Sequence, residues 1–306
     1  MKRIVFPATA RPHLARQKLL LEELRKEFEV DVWEPTVLNQ GGLSTFSILC
    51  SVEFNNFLAG NHYDAVLIRA DRFELLQLAA LCSYRGIPII HIEGGCESGQ
   101  NVIDSKVRHS ITQLADVHLV TDEEAKRKVI YLGANPDKVF NVGSLDVSFA
   151  KRVVPQRIVE EDYILFLHHA IPGEDTKVVH DAIKDLGYKI VGVKSNQDYQ
   201  ASLMHEEYAP EDFVSLMYYA KCMVGNSSAL CKETSILGTP GVLTGRRQDG
   251  RVVGHNVLRV PHDQREIQEA VKYQIGHGRY KPDKVYYKKN TEKLITRIIK
   301  KQLCQT

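Results

Sequence analysis

A chain of 306 residues, 43% of them hydrophobic, is long enough to bury two cores of about 150 residues each. Forty Lys and Arg against 38 Asp and Glu leave a net charge of +2, scattered apart from a basic C-terminal stretch, so neither nucleic acid nor a membrane surface is expected as a partner. No window approaches the roughly 18 apolar residues of a membrane span, and the N-terminal apolar run is too short for a secretory leader. Cys50, Cys82, Cys96, Cys222, Cys231 and Cys304 form no CxxC pair or other metal-ligand spacing, which predicts buried thiols in a reducing cytoplasm.

Along the chain, short apolar runs alternate with helical patterns. RIVFPA (3–8), DVW (31–33), DAVLIRA (64–70), PIIHIEG (88–94), VHLVT (117–121) and VFNVG (139–143) are predicted strands. Helix-like segments such as LLLEELRKEF and FELLQLAALCSYRG separate them. VGSLDVSFAKRVVPQR follows, polar and without clear periodicity, and is expected as a linker. The pattern then restarts with YILFLHH (163–169), YKIVGVKS (188–195), CMVGN (222–226) and GVLT (241–244). Strand–helix repetition of this kind predicts parallel sheets covered by helices on both faces, and the restart predicts two Rossmann-like domains, 1–150 and 151–285. In the tail, Leu294, Ile295, Ile298 and Ile299 fall at helical spacing, predicting a docked amphipathic helix over 286–306.

Ligands of open parallel sheets bind beyond the carboxyl ends of the strands, where loops and helix N-termini converge. Asp71 and Glu93 end successive predicted strands, Asp104 opens the next helix, His168 and His169 end the first strand of the second half, and GNSS (225–228) joins a strand to a helix. Asp104 alone reads as an N-cap, but five such features on one edge make the cleft between the two sheets the default site. In GNSSALCKE, Gly225 permits close backbone approach, and Ser227 and Ser228 offer hydroxyls and amides at a helix N-terminus suited to phosphate. Glu233, one to two turns along, is placed to accept from a ribose diol, and serine capping with a surface glutamate is the bland alternative. Arg246, Arg247 and Arg251 share the loop LTGRRQDGR, where guanidinium groups can neutralise a diphosphate.

Taken together, ADRFE, HIEGG, the segment from VIDSKVRHS to VFNVGS, and GNSSALCKETSILGTPGVLTGRRQDGR resemble the UDP-N-acetylglucosamine 2-epimerases, in particular their hydrolysing, sialic-acid-pathway branch, from about residue 64 to about residue 260. The resemblance implies a glycosyltransferase-B type fold in which UDP is held by the C-terminal half, the sugar faces the N-terminal half, and the last helix packs back on the first domain. It implies elimination of UDP from a 2-acetamido sugar through a glucal intermediate, then water addition to release the free 2-epimer. Asp71, Glu93 and Asp104 would be the acid/base set, His168 the group at the leaving phosphate with His169 as the alternative, Ser227 and Ser228 the phosphate cradle, and Glu233 the ribose ligand. Arg11, Arg72, Arg108, Arg247 and Arg251 would be cations around substrate and leaving group. Ala70 stands where the family customarily has glycine, and PATARPH replaces its first-strand loop. No metal or cofactor is required by this chemistry, and a homodimer is expected. A glycosyltransferase of the same architecture, a reversible epimerase and a non-catalytic nucleotide-sugar sensor are the competing readings. The transferase would not need the three carboxylates.

Overall fold

The structure, a computed structural model, describes residues 1–304 except 10, 38–41, 100–102, 170 and 194–207, with the side chains of 11–16 also outside the description. The chain divides into two units, one formed by Met1–Cys96, Asn101–Leu145 and Lys288–Thr306, the other by Glu97–Gln100 and Asp146–Tyr287.

The first unit alternates β1 (Arg3–Pro7), α1 (Arg11–Leu24), β2 (Glu29–Trp33), α2 (Gly42–Ala59), β3 (Ala65–Arg69), α3 (Phe73–Tyr84), β4 (Ile89–Ile92), α4 (Ile103–Leu114), β5 (Val117–Val120), α5 (Glu123–Tyr131) and β6 (Val139–Asn141). Its strands form one parallel sheet in the order β2-β1-β3-β4-β5-β6. Successive side chains of a strand point to opposite faces, and the core follows that period. Ile4, Phe6, Leu67, Ile90 and Ile92 face a layer with Leu20 and Leu24, whereas Val5, Val66, Ile68 and Ile89 face Phe54, Leu78, Cys82 and Ile111.

A helix, α6 (Leu145–Arg152), leads to the second unit. That unit contains β7 (Tyr163–Leu167), α7 (Thr176–Ile183), β8 (Lys189–Gly192), α8 (Pro210–Tyr219), β9 (Cys222–Gly225), α9 (Ser228–Cys231), α10 (Glu233–Leu237), β10 (Gly241–Thr244), β11 (Val257–Val260) and α11 (Gln264–His277), with a parallel sheet in the order β11-β10-β9-β7-β8. The last helix, α12 (Thr291–Cys304), belongs to the first unit and lays Ile295, Ile299 and Leu303 into the layer that holds Leu20 and Leu24.

Three elements depart from the sequence expectation. The polar stretch expected as a linker contains α6, held because Leu145, Val147 and Ala150 are buried. A further helix, α2, carries Phe46, Cys50, Phe54 and Leu58 at a spacing of four, a buried helical stripe. The unanticipated β11 is a short edge strand with Arg259 exposed, too brief to show alternation. Among the described residues no helix is long and apolar enough to cross a membrane, and all six cysteines are free thiols, only Cys304 being exposed.

Because Ile295 and Ile299 are fully buried against α1 and the sheet, Ile299→Ala should cost about 2–5 kcal/mol of unfolding free energy, the range for truncating a core isoleucine. Urea titration followed by circular dichroism should show a midpoint well below that of Lys300→Ala, whose exposed pair with Glu27 should contribute under about 1 kcal/mol.

Candidate functional site

At the carboxyl edge of the first sheet, β3 and β4 end in register, Arg69 opposite Ile92. Each strand then turns through a non-glycine residue in the left-handed region, Ala70 at φ 65° and Glu93 at φ 67°. An L-residue there costs roughly 1–2 kcal/mol, so surrounding bonds must hold it. Ala70 donates its N–H to Ile92 O (2.9 Å), Glu93 donates to Leu119 O (2.8 Å), and the buried His91 donates from Nε2 to Ala70 O (2.9 Å). The Ala70 turn sets the direction of Asp71.

Each acidic residue of this edge meets a guanidinium. Glu93 Oε1 accepts from Arg69 Nη2 at 3.2 Å, both side chains being buried. Asp71 accepts from Arg108 of α4, whose other terminal nitrogen donates to Cys96 O at 2.6 Å. Arg108 therefore ties Asp71 to the loop that follows Glu93. Asp104, expected as a cap, lies inside the first turn of α4, four residues before Arg108. Arg72 donates to Glu74 Oε1 at 2.6 Å, and Glu74 is fully buried, which makes it an anchor for the start of α3. Arg11 lies in α1 with its side chain outside the description.

The second unit gathers the other group. Gly225 ends β9 at φ +144°, and a Cβ there would lie 1.9 Å from Leu167 O, so only glycine lets β9 close on the end of β7. Asn226, fully buried, uses the approach: its Oδ1 accepts from His169 N (2.7 Å), and its Nδ2 donates to His169 O (2.9 Å) and lies 3.1 Å from His168 Nε2. The other ring nitrogen of His168 sits 3.1 Å from Thr176 Oγ1. Both rings are held neutral. Burial first, then the neighbouring His262 ring and the Arg247 guanidinium, pushes His168 down to about 3, and burial and Arg247 push His169 well below its ordinary range.

Ser227 caps α9 by accepting from Ala229 N at 3.2 Å, which is the bland role foreseen for it. The helix expected through Glu233 is broken. α9 is a single turn of four residues, and α10 starts anew at Glu233, with Lys232 between them at φ −97°, ψ −74°. So short an end has little dipole to offer a phosphate, and what remains is the amides and the half-buried Ser228. Arg247 donates to Asn226 O (2.9 Å), while the buried Arg251 donates to Glu97 O (2.9 Å) and Ser98 Oγ (3.1 Å) within the same unit. Arg69, Asn226, Glu174 and His262 escaped the sequence reading. A charged residue inside the apolar run AVLIR was the signal for Arg69, and Asn226 stood within the quoted GNSS.

Residues 18–300 match the family model described as UDP-N-acetylglucosamine 2-epimerase. The chain belongs to the UDP-N-acetylglucosamine 2-epimerase family. Polysialic acid biosynthesis protein P7 of Escherichia coli is 30% identical, the match covering 73% of this chain and 65% of that protein. The GDP/UDP-N,N'-diacetylbacillosamine 2-epimerase (hydrolyzing) of Campylobacter jejuni is 27% identical, covering 78% and 72%. The chain thus spans just under two thirds of the first relative. In fold it is similar to Methanocaldococcus jannaschii UDP-GlcNAc 2-epimerase, solved in complex with UDP-GlcNAc and UDP, at a TM-score of 0.81 and 16% identity over 98% of this chain and 100% of that one.

Beneath the carboxylate edge of this epimerase-family chain, His91 and His118 pair across β4 and β5, and burial pushes each from 6.5 down to about 4. Between those values the unfolded chain takes up protons that the native state refuses, so stability is present above pH 6.5 and is lost as pH falls toward 4, by at most about 1.4 kcal/mol per pH unit per histidine. Melting temperature should drop steadily over that window and drop less in His118→Asn. A flat profile would show that these histidines charge in the native state.

Proposed function

We propose that this chain is a hydrolysing UDP-sugar 2-epimerase that eliminates UDP from a UDP-2-acetamido sugar and adds water to give the free 2-epimer, N-acetylmannosamine or a relative. The observation that carries this reading is the edge at β3 and β4, where Asp71 and Glu93 occupy or follow strained turns and are each held by an arginine. Family membership and the hydrolysing relatives support the same chemistry.

Glu93 is our choice for the base at C2. A carboxylate accepting from a guanidinium offers lone pairs and no proton, and Arg69 aims Glu93. The C2 proton passes to the base, the C2–H electrons form the C1=C2 double bond, and the C1–O bond breaks to release UDP. Water then returns a proton to C2 and a hydroxyl to C1. Asp104 and Asp71, with Arg72 and Arg108 as their basic neighbours, complete the acid/base set and its field. UDP is bound in the second unit by Ser227, Ser228, Arg247 and Arg251, with Glu233 on the ribose. Both ring nitrogens of His168 are engaged, so we place His169 nearer the phosphates and let His168 hold the loop. Arg11 retains its expected role as a cation toward the diphosphate. The reading includes a cytoplasmic homodimer. Six free thiols suit a reducing compartment, and the exposed Ile48, Leu49 and Val52 of α2 offer an apolar face for a second copy.

Purified protein incubated with UDP-N-acetylglucosamine should release UDP without any acceptor. Glu93→Gln and Asp104→Asn should each reduce turnover by about a hundredfold to ten-thousandfold, the usual worth of a positioned proton transfer, with calorimetric UDP affinity unchanged. UDP release that needs an acceptor sugar would turn the assignment to a transferase, and full activity in Glu93→Gln would remove the base.

A further inference from the structure

His168, Glu174 and His262 come from separate places in the sequence, yet within the second unit their ligand atoms all lie within 4.8 Å of one another. His262, in the connection between β11 and α11, has its Nε2 3.0 Å from Asp175 O. A carbonyl only accepts, so Nε2 carries the proton and Nδ1 is a bare lone pair, buried and without a hydrogen-bond partner. Glu174 is 9% exposed. One of its carboxylate oxygens accepts from Arg246 N at 2.6 Å, while Oε2 is buried and has no partner. A Cβ at Gly245 would fall 2.2 Å from that Oε2, so glycine makes the room the carboxylate occupies.

Glu174 and His262 thus each keep one electron-rich atom buried without a hydrogen-bond partner, in a group of residues whose ligand atoms come within 4.8 Å of one another. Burying such atoms unsatisfied is unfavourable, and a cation held among these residues would satisfy them together. Each group is, moreover, already oriented as metal ligands are, by a bond from the atom that would not coordinate: His262 through Nε2–H to a carbonyl, Glu174 through Oε1 to a backbone amide. His168 has Thr176 Oγ1 and Asn226 Nδ2 on its two ring nitrogens and would exchange one neutral partner for the ion while keeping the other.

We propose that His168, Glu174 and His262 bind one divalent transition ion of the zinc class. Two imidazoles and one carboxylate suit Zn²⁺ and its neighbours, whereas Mg²⁺ and Ca²⁺ take oxygen ligands. Three protein ligands leave a tetrahedral ion one further position, for water or an oxygen of a bound ligand. The ion would join the loop after β7, the loop after β10 through Glu174 and Gly245, and the segment before α11, with Asn226 beside His168.

The test uses the full chain, stripped with a chelator and titrated with Zn²⁺ against a competing indicator and with Co²⁺ by visible absorption, without nucleotide. Saturable uptake of about one ion per chain is expected, weakened at least about a hundredfold in His262→Ala and in Glu174→Gln, since even the groups that orient ligands are worth tenfold to a hundredfold. Zn²⁺ should raise the melting temperature of the parent chain and leave that of the variants unchanged. Co²⁺ should give ligand-field bands with no thiolate charge-transfer band. That readout needs only the parent chain and stands if a variant fails to fold. No saturable uptake, uptake equal in parent and folded variants, or a thiolate band assigning the ion to cysteines such as the exposed Cys304 would each overturn the proposal. Metal uptake is read without turnover, so its failure leaves the epimerase reading in place, and the reverse also holds.

Discussion

A buried carboxylate needs a donor, and the upper edge of each sheet is organised around supplying one. Glu93 has Arg69, Asp71 has Arg108, Glu74 has Arg72, and Glu174 has the backbone amide of Arg246. Removing one member of such a pair leaves an uncompensated charge in the interior, a change that typically costs about 3–5 kcal/mol. The pairs therefore fix where the turns after β3 and β4 go. That is why Ala70 and Glu93 can persist at positive φ, a conformation that local sequence alone would not select.

The same economy of partners distinguishes the two units. In the first, side chains at the edge are joined by ion pairs, which suits proton transfer because the acceptors are aimed and partly dry. In the second, neutral contacts dominate: Asn226 clamps both His168 and His169, and Arg247 and Gln248 converge on Asn226 O. Glycine at 225 is the condition for that clamp, since it brings the ends of β7 and β9 within reach of one amide side chain. A backbone that close, with arginines beside it, is the kind of surface a diphosphate accepts.

Continuous apolar runs made β1, β3, β4, β7 and β9 legible, because each strand is covered on both faces. The stripe in α12 was legible for the matching reason at period 3.6. α6 was not, because its buried residues Leu145, Val147 and Ala150 are interleaved with polar ones over only eight positions. In the candidate site, strand-end position picked out Asp71, Glu93, His168 and GNSS. The break at Lys232, just before Glu233, is a local backbone departure that no spacing rule registers. Arg69 was hidden inside a strand, and the group of His168, Glu174 and His262 exists only once β7 and β11 are placed in one sheet. Partners of this sort are tertiary facts. Their residue types can be read in advance, but their pairing cannot.

Everything proposed for Glu93 turns on whether the proton at C2 is exchanged. In deuterated water, with UDP-N-acetylglucosamine as substrate, the released sugar should be the 2-epimer carrying one deuterium at C2, because the hydrogen removed by the base is replaced from solvent, and nuclear magnetic resonance reads that position directly. A free sugar with its original hydrogen at C2 would mean hydrolysis without elimination, and would contradict the role given to Glu93 and the edge that holds it.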